Sequence, residues 1–520
     1  MKSKRFKLAG ALVASVFSGC EVGPNYVAPH TPLAQSFDAP AATQPAAPAG
    51  QPVDLAHWWR SLNDTELDSL IDRSIQSNLD LQIALTRLQE SRATEFVVSG
   101  GTLPYLEGSG AAARGSGNNS VKGRIAPQLN AASSTAGLKE ITEVIGFDSG
   151  WEIDLFGRFR RQLEAVAADT QAAAENRNAL LITIVSEVAR DYFEMRAAQM
   201  RLDIARQNIA VAQQTLNVVQ QRFDRGLTNE LDVALAQRQT ASEQADIAPL
   251  EEEVTQAQRR LAVLLDLSPD TLRSELSTTV ALPDLPAQVA AGLPVELLRR
   301  RPDIRQAERR LAAENARIGV ATADLYPRIA VTAGLGLEGQ GLGRNPTVQS
   351  MIWSVGPTAV VPILDFGRID SMIMLEEFRT RELFYNYQRT VLGAVEEVDN
   401  SVNGYAAQRD RLEQLGKALE ASKRAVDLAS GRYDRGLIDF LNVLDAQRQL
   451  FNLQDQYTVA QQAEVVQYIS LYKALGGGWE NYQDIPPIRN PLPAVIAAGV
   501  QAIHKPSPIT ETPPPKASKN

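Results

Sequence analysis

Apolar residues recur at helical spacing along two very long stretches of the chain. Residues 158–225 contain neither glycine nor proline, and Leu181, Ile184, Val188, Tyr192 and Met195 step by three, four, four and three. Further on, Phe384, Tyr387, Val391, Ala394, Val398, Val402 and Tyr405 repeat the same spacing, in a stretch interrupted by Gly393, Gly404, Gly416 and Gly431. Such stripes predict helices that pack against other helices. Sixty-eight residues rising 1.5 Å each make a rod of about 100 Å, too long for a globular domain to enclose, so it belongs to a bundle or a tube. Residues 437–475 predict an unbroken returning helix. Residues 228–247 predict a shorter one, kinked or restarted at Pro249, which lacks an amide donor. Helices over 64–99 and 294–322 are expected to fill the height that the returning limbs leave.

Between these helical stretches the period changes from about 3.6 to 2. Ile329, Val331, Ala333, Leu335 and Leu337 share one face of a strand, and Ala330, Thr332, Gly334, Gly336 and Glu338 the other. Ile145, Phe147, Trp151, Ile153 and Leu155 alternate in the same way with Gly146, Asp148, Gly150, Glu152 and Asp154. An apolar face backed by a small or acidic face is the pattern of a membrane barrel wall, and equally of a half-buried soluble sheet. The Ala- and Gly-rich stretch 103–113 carries a fainter version.

The chain is duplicated. Arg222 to Gln239 (RFDRGLTNELDVALAQRQ) and Arg432 to Gln449 (RYDRGLIDFLNVLDAQRQ) agree at 11 of 18 positions, enough to set an offset of 210. Phe156-Gly157-Arg158 and Phe366-Gly367-Arg368 keep it. Upstream the offset becomes 223, through Asp80/Asp303, Ala84/Ala307, Leu88/Leu311, Val97/Val320 and Pro104/Pro327. The first copy therefore holds 13 extra residues, expected in the Gly/Ser/Asn-rich stretch 115–143. The first repeat is placed at 61–270, with strands over about 103–115 and 145–156 and a helical hairpin over 157–266. The second is placed at 290–478, with strands over about 325–338 and 351–366 and a hairpin over 367–475. Four strands cannot close a membrane barrel, which takes about eight, and open edges are not tolerated in lipid. A barrel reading thus forces an oligomer, and three chains supply twelve strands. The expected fold is an α+β membrane protein: a trimeric twelve-stranded β-barrel continued by a long α-helical barrel.

The N-terminus adds an address. Lys2, Lys4, Arg5 and Lys7 precede the short apolar run Leu8–Phe17 and then Ser18-Gly19-Cys20. The pattern is a signal peptide over 1–19 and resembles a bacterial lipobox, although Phe17 stands where leucine is usual. Acylated Cys20 would anchor a linker over 20–60; the alternative is an ordinary secretory signal with a cysteine nearby. Cys20 is the sole cysteine, so no intrachain disulfide forms. A formal net charge of −9 argues against a nucleic-acid partner. No later segment reaches the ~18 consecutive apolar residues of a spanning helix. Residues 479–520 read as a Pro-rich tail.

Several motifs together resemble the outer-membrane factor family of the OprM/NodT type, relatives of TolC. They are Gly19-Cys20 with Val22-Gly23-Pro24-Asn25-Tyr26, Trp58-Trp59, Asn78-Leu79-Asp80-Leu81, Arg300-Arg301-Pro302-Asp303-Ile304, Ala323-Asp324-Leu325-Tyr326-Pro327 and Asp445-Ala446-Gln447-Arg448. The resemblance runs from Cys20 to about Tyr482. It implies a homotrimeric efflux duct in the outer membrane, in contact with its lipid, extending into the periplasm. There it would dock on a periplasmic adaptor fed by an inner-membrane RND-type pump. It implies no catalysis and no cofactor beyond lipid on Cys20.

The resemblance also points to sites. Arg225-Gly226-Leu227 and Arg435-Gly436-Leu437 would be the adaptor-docking tips; on physical grounds alone they are tight helical turns whose glycines take positive φ. Leu441 and Asp445 lie four apart on one helix face and would line the closed periplasmic aperture; alternatively Asp445 is simply solvated. Their first-copy equivalents are Leu231 and Leu235, so only the second copy carries the acid. Gly334-x-Gly336-x-x-Gly339 matches a dinucleotide fingerprint by spacing, but the Gly, Asn and Pro that follow favour an extracellular hairpin loop. His57 beside Trp58 and Trp59 reads as packing or capping rather than catalysis, and six Met and three His outline no metal pathway. A lipid-anchored periplasmic scaffold is the competing reading, but it leaves four strand-like segments at matching places unexplained.

Overall fold

A computed structural model of the chain describes residues 21–29, 55–116, 139–286, 300–342, 347–480 and 482. The expected signal peptide, Cys20, most of the tail and the loop stretch 117–138 lie outside the described residues. A 3-10 segment, Leu55–Leu62, leads into α1 (Thr65–Ser77), α2 (Leu79–Gly101), β1 (Tyr105–Ser116), β2 (Lys139–Ile153) and α3 (Arg158–Asp224). Then follow α4 (Glu230–Ala245), α5 (Ile247–Leu264), a single turn α6 (Leu272–Glu275), α7 (Pro302–Ala323), β3 (Arg328–Leu342), β4 (Thr347–Val360), α8 (Arg368–Asp434) and α9 (Phe440–Ala474).

The rods α3 and α8 are each 67 residues long, about 100 Å. Both start at a left-handed glycine, Gly157 (φ 81°) and Gly367 (φ 79°), which turns the chain out of a strand. An upstream aspartate then accepts from first-turn amides: Asp154 from Arg160 at 3.0 Å, Asp365 from Ile369 at 2.9 Å and Gly367 at 3.1 Å. These amides hold the Asp365 carboxyl below the usual carboxylate range. The four glycines inside α8 do not break it. Pro249 lies in the first turn of α5, so the first returning limb restarts there, whereas α9 runs 35 residues unbroken.

The strands form one antiparallel sheet in the order β1-β2-β3-β4. Their register aligns the two faces. Phe147, Leu335 and Trp353 stand in one row across β2, β3 and β4, and Ile145, Leu337 and Met351 in the next. All six are exposed, Trp353 by 69%. The opposite face carries Asp148, Gly334 and Ser354 in one row and Gly150, Thr332 and Gly356 in another. Ser109 donates to Asp148 there at 3.1 Å.

Some strand limits differ from the alternation. β2 begins at Lys139, because its charged start, with Lys139, Glu140 and Glu143, hid a stretch that pairs on both sides. β4 ends at Val360, just ahead of Pro362, which cannot donate to a ladder. β3 begins at Arg328, because Leu325 and Tyr326 still close the turn of α7. Gly334, Gly336 and Gly339 lie inside β3 and not in a hairpin loop; Gly334 and Gly336 share the small side of the wall, and Gly339 stands at the register shift between β3 and β4.

The main core sits midway along the rods. Trp58 stacks on Tyr472 at 5.4 Å, Tyr192 donates to Asp64 at 2.7 Å, and Trp59, Phe193, Tyr405 and Tyr468 fill the space around them. His57 meets Trp59 edge-on at 5.7 Å, a packing role. Helix α7 packs between α3 and α8; α2 packs on α3.

Candidate functional site

The far ends of the two helical hairpins lie side by side. At the first, Gly226 (φ 71°) donates to Phe223 at 2.8 Å and Leu227 donates to Arg222 at 2.8 Å. At the second, Gly436 (φ 72°) donates to Tyr433 at 2.8 Å and Leu437 to Arg432 at 3.0 Å. Each turn is thus a Schellman motif, with glycine in the left-handed position. A Cβ on either glycine would touch nothing within 4 Å, so the positive φ, not crowding, selects glycine. Arg225, Leu227, Arg435 and Leu437 are all exposed, leaving both turns free for contact. The next helices start differently: Asn229 caps α4 by accepting from Asp232 at 3.0 Å, while Asp439 makes no side-chain cap on α9.

A small core joins the hairpins just behind the turns. Val219 and Val233 of the first repeat pack with Tyr433, Phe440, Val443 and Leu444 of the second. Arg222 reaches across: its guanidinium lies 4.5 Å over the Tyr433 ring and donates at 3.2 Å to the Tyr433 carbonyl. It thereby caps the end of α8 with a cation. Burial pushes the Tyr433 hydroxyl up from its ordinary value.

Leu441 and Asp445 lie one turn apart on the first part of α9, both exposed. Asp445 is 3.7 Å from Arg448 on the same helix. Leu441 is 61% exposed and its first-copy equivalent Leu231 64%, so each chain presents two leucines at this level. Leu235, the equivalent of Asp445, instead packs on the small core. The acid therefore replaces a residue with a packing job, and the two hairpins meet the solvent differently at the same height.

At the other end of the rods, the segment after Cys20 is held in place. Val22 donates to the Phe156 carbonyl at 3.2 Å. Buried Arg161 donates to the Val22 carbonyl at 3.2 Å and to Asn25 at 2.6 Å, and pairs with Glu21 at 3.4 Å. Gly23 (φ 89°) passes so close to α7 that a Cβ would lie 2.5 Å from Gly319. The residue following the candidate lipid site therefore sits where β2 hands over to α3.

Two contributors were hidden in the sequence. Arg222 and Tyr433 were visible as repeated positions, but nothing in their spacing shows that an arginine of one copy lies on an aromatic of the other. Arg161 carried one signal: its second-repeat counterpart is Ser371, a departure from the duplication at the start of the rods.

Comparison with known proteins follows the same division. The family described as Outer membrane efflux protein matches residues 70–266 and 293–477. The cation efflux system protein CusC of Escherichia coli (strain K12) is 30% identical over 91% of this chain and 99% of its own length. The probable outer membrane lipoprotein SilC of Salmonella typhimurium is 28% identical over 91% of this chain and 99% of its own. Among solved structures, the outer-membrane channel OprN superposes with a TM-score of 0.79 at 33% identity, covering 88% of this chain and all of that one.

Proposed function

The chain belongs to the outer membrane efflux protein family, and from that premise we propose that it is the export duct of a tripartite system, docking on a periplasmic adaptor fed by an inner-membrane RND-type pump. The protein is an outer-membrane channel, and family members work as trimers. One observation carries the reading furthest: an amphipathic four-stranded sheet with two unpaired edges, continuous with two 67-residue rods. Closing β4 of one copy onto β1 of the next satisfies both edges, turns the Phe147–Leu335–Trp353 face to lipid and leaves the glycine-rich face around a water-filled lumen. No helix among the described residues is long and apolar enough to cross a membrane.

In this reading the turns Arg225-Gly226-Leu227 and Arg435-Gly436-Leu437 dock on the adaptor. What supports it is their exposure and their shared backbone geometry at one end of the molecule. Leu441 and Asp445 form the periplasmic gate, a leucine constriction followed by a ring of carboxylates acting on passing ions by charge. Cys20 carries the lipid; support comes from the likeness to a probable lipoprotein and from the clamp that holds Glu21 and Val22 beside the start of α3. The test is conductance in a planar bilayer. The purified protein is expected to insert and conduct, and Asp445→Ala is expected to raise single-channel conductance. A protein that neither inserts nor shows heat-modifiable migration on a gel would sink the duct reading.

A further inference from the structure

The connector that leaves α6 runs over residues 276–286 and touches both rods. Its first part is seated in the main core, where Leu276 and Leu282 are buried and Leu285 packs against the cluster. Rod α3 grips this part. Gln199 donates to the Leu276 carbonyl at 2.6 Å, and Arg196 donates to the Thr278 carbonyl. Both side chains are buried, and Arg196 is held in turn by Gln199 at 3.0 Å and by the Tyr192 ring at 4.8 Å. Rod α8 holds the other end. Tyr405 donates to the Pro286 carbonyl at 2.6 Å, and Arg409 donates to the same oxygen at 3.0 Å. A carbonyl has two lone pairs, so two donors saturate it. Pro283 and Pro286 bring no amide to this stretch, which leaves its carbonyls to make the bonds.

The offset of 210 pairs Gln199 with Arg409, so both rods grip the connector at one height. The grips differ in kind. The one on α3 is buried and spread over two carbonyls. The one on α8 rests on a single carbonyl of an exposed residue, and the Arg409 side chain is itself 39% exposed. Arg409 also faces buried Glu464 of α9 at 3.9 Å, so it ties connector, α8 and α9 together. Past this point α8 changes. Among the described residues of α8, none between Tyr405 and Tyr433 is buried, a stretch of about 40 Å. The same stretch of α3 still buries Leu202, Asn208, Ala212 and Val219. Gly416 and Gly431 stand there where α3 has Arg206 and Gln221, and glycine loosens a helix interior. The α8–α9 hairpin is thus held at its tip by the small core and at its upper end by the Pro286 contact. We propose that the connector is a belt and the Pro286 carbonyl its pin: Tyr405 and Arg409 are positioning residues that limit the swing of the α8–α9 hairpin and so set how closed Leu441 and Asp445 stand. This rests on the reading of Leu441 and Asp445 as the gate, and adds the residues that hold the moving hairpin from above. The buried grip on α3 is the fixed end of the belt, and the exposed grip on α8 is the end that releases.

The test follows single channels of the full-length chain in a planar bilayer and reads the ratio of open to closed dwell time. Tyr405→Phe removes one hydroxyl donor and is expected to raise that ratio about two- to tenfold, the equivalent of one hydrogen bond, with heat-modifiable trimers intact. Arg409→Ala combined with Glu464→Gln removes the second donor without leaving a buried carboxylate unpaired, and is expected to act in the same direction. Either gain should vanish on a background of Leu441→Ala and Asp445→Ala, because the belt acts through those residues. Unchanged ratios in both pin variants, while Asp445→Ala raises conductance, overturn the belt and spare the gate. A gain that persists in full on the Leu441→Ala and Asp445→Ala background overturns it too, as does a loss of trimers in both pin variants. Asp445→Ala without effect removes the gate, and the belt with it.

Discussion

The two rods are alike in backbone and opposite in surroundings. Helices α3 and α8 have the same length, the same left-handed glycine at the start and the same Schellman turn at the end. Yet among the described residues α3 is enclosed by α1, α2, α4, α5, α7 and α9, while α8 packs along its length mainly on α7 and α9. Ile182 of α3 is 6% exposed and its counterpart Leu392 is 64%. Duplication copies the local code for a helix, but a chain has only one middle. The first rod sits there and the second lies at an edge, with exposed apolar side chains at Leu375, Phe378, Tyr385 and Leu392 where its twin's side chains are buried. The difference teaches where the molecule ends and where its neighbour begins.

The largest expected effect separates the rods at one equivalent pair. Ile182→Asp puts a charge without a partner into the core and is expected to cost about 3–5 kcal/mol, leaving little folded protein in the membrane. Leu392→Asp is expected to leave the chain folded and reduce only the heat-modifiable trimer. Equal losses at both positions would erase the contrast between middle and edge.

The next effect concerns the turns. Gly226→Val and Gly436→Val force a branched residue into positive φ, a strain of about 1–3 kcal/mol at each turn. Because nothing surrounds either Cβ position, trimers are expected to persist while efflux of a pump substrate, followed by drug susceptibility, is lost. Unchanged susceptibility would remove the docking role.

A smaller effect is expected from Arg222→Ala, which takes away a cation–aromatic contact and a cap on α8 worth together about 1–2 kcal/mol. Conductance should become noisier as the hairpins loosen. Unchanged noise would remove that bracing role.

The smallest effect is a pH dependence at the start of α8. The Asp365 carboxyl is held below its ordinary value by the Ile369 and Gly367 amides. A depressed acid contributes stability above the unfolded value, near pH ~4, and loses it as pH falls through the lower folded value. Asp365→Asn should flatten that acid limb in a thermal melt followed against pH, and an unchanged limb would assign it to other groups.

Much of this was legible along the chain. Helix periodicity located both rods, since Leu181 to Met195 and Phe384 to Tyr405 can only form stripes on helices. Alternation located the sheet wherever one face was apolar, and missed the start of β2 where it was not. The repeated Arg-Gly-Leu turns were visible as glycines that had to take positive φ, and do. The gate candidates Leu441 and Asp445 could be placed on one helix face, but the packed state of Leu235, which gives the acid its contrast, could not.

By itself, then, the sequence determined the period of each element, the two-fold repetition and the need for other copies to close four strands. These follow from local sterics and counting, which act within a few residues or between copies of a motif. Only the tertiary structure decided that α3 is central and α8 peripheral, that Arg222 of one repeat lies on Tyr433 of the other, and that Arg161 clamps the segment after Cys20. Those contacts join residues more than a hundred positions apart, where identical local codes meet different neighbours. Which neighbour each code meets is settled by packing the whole chain.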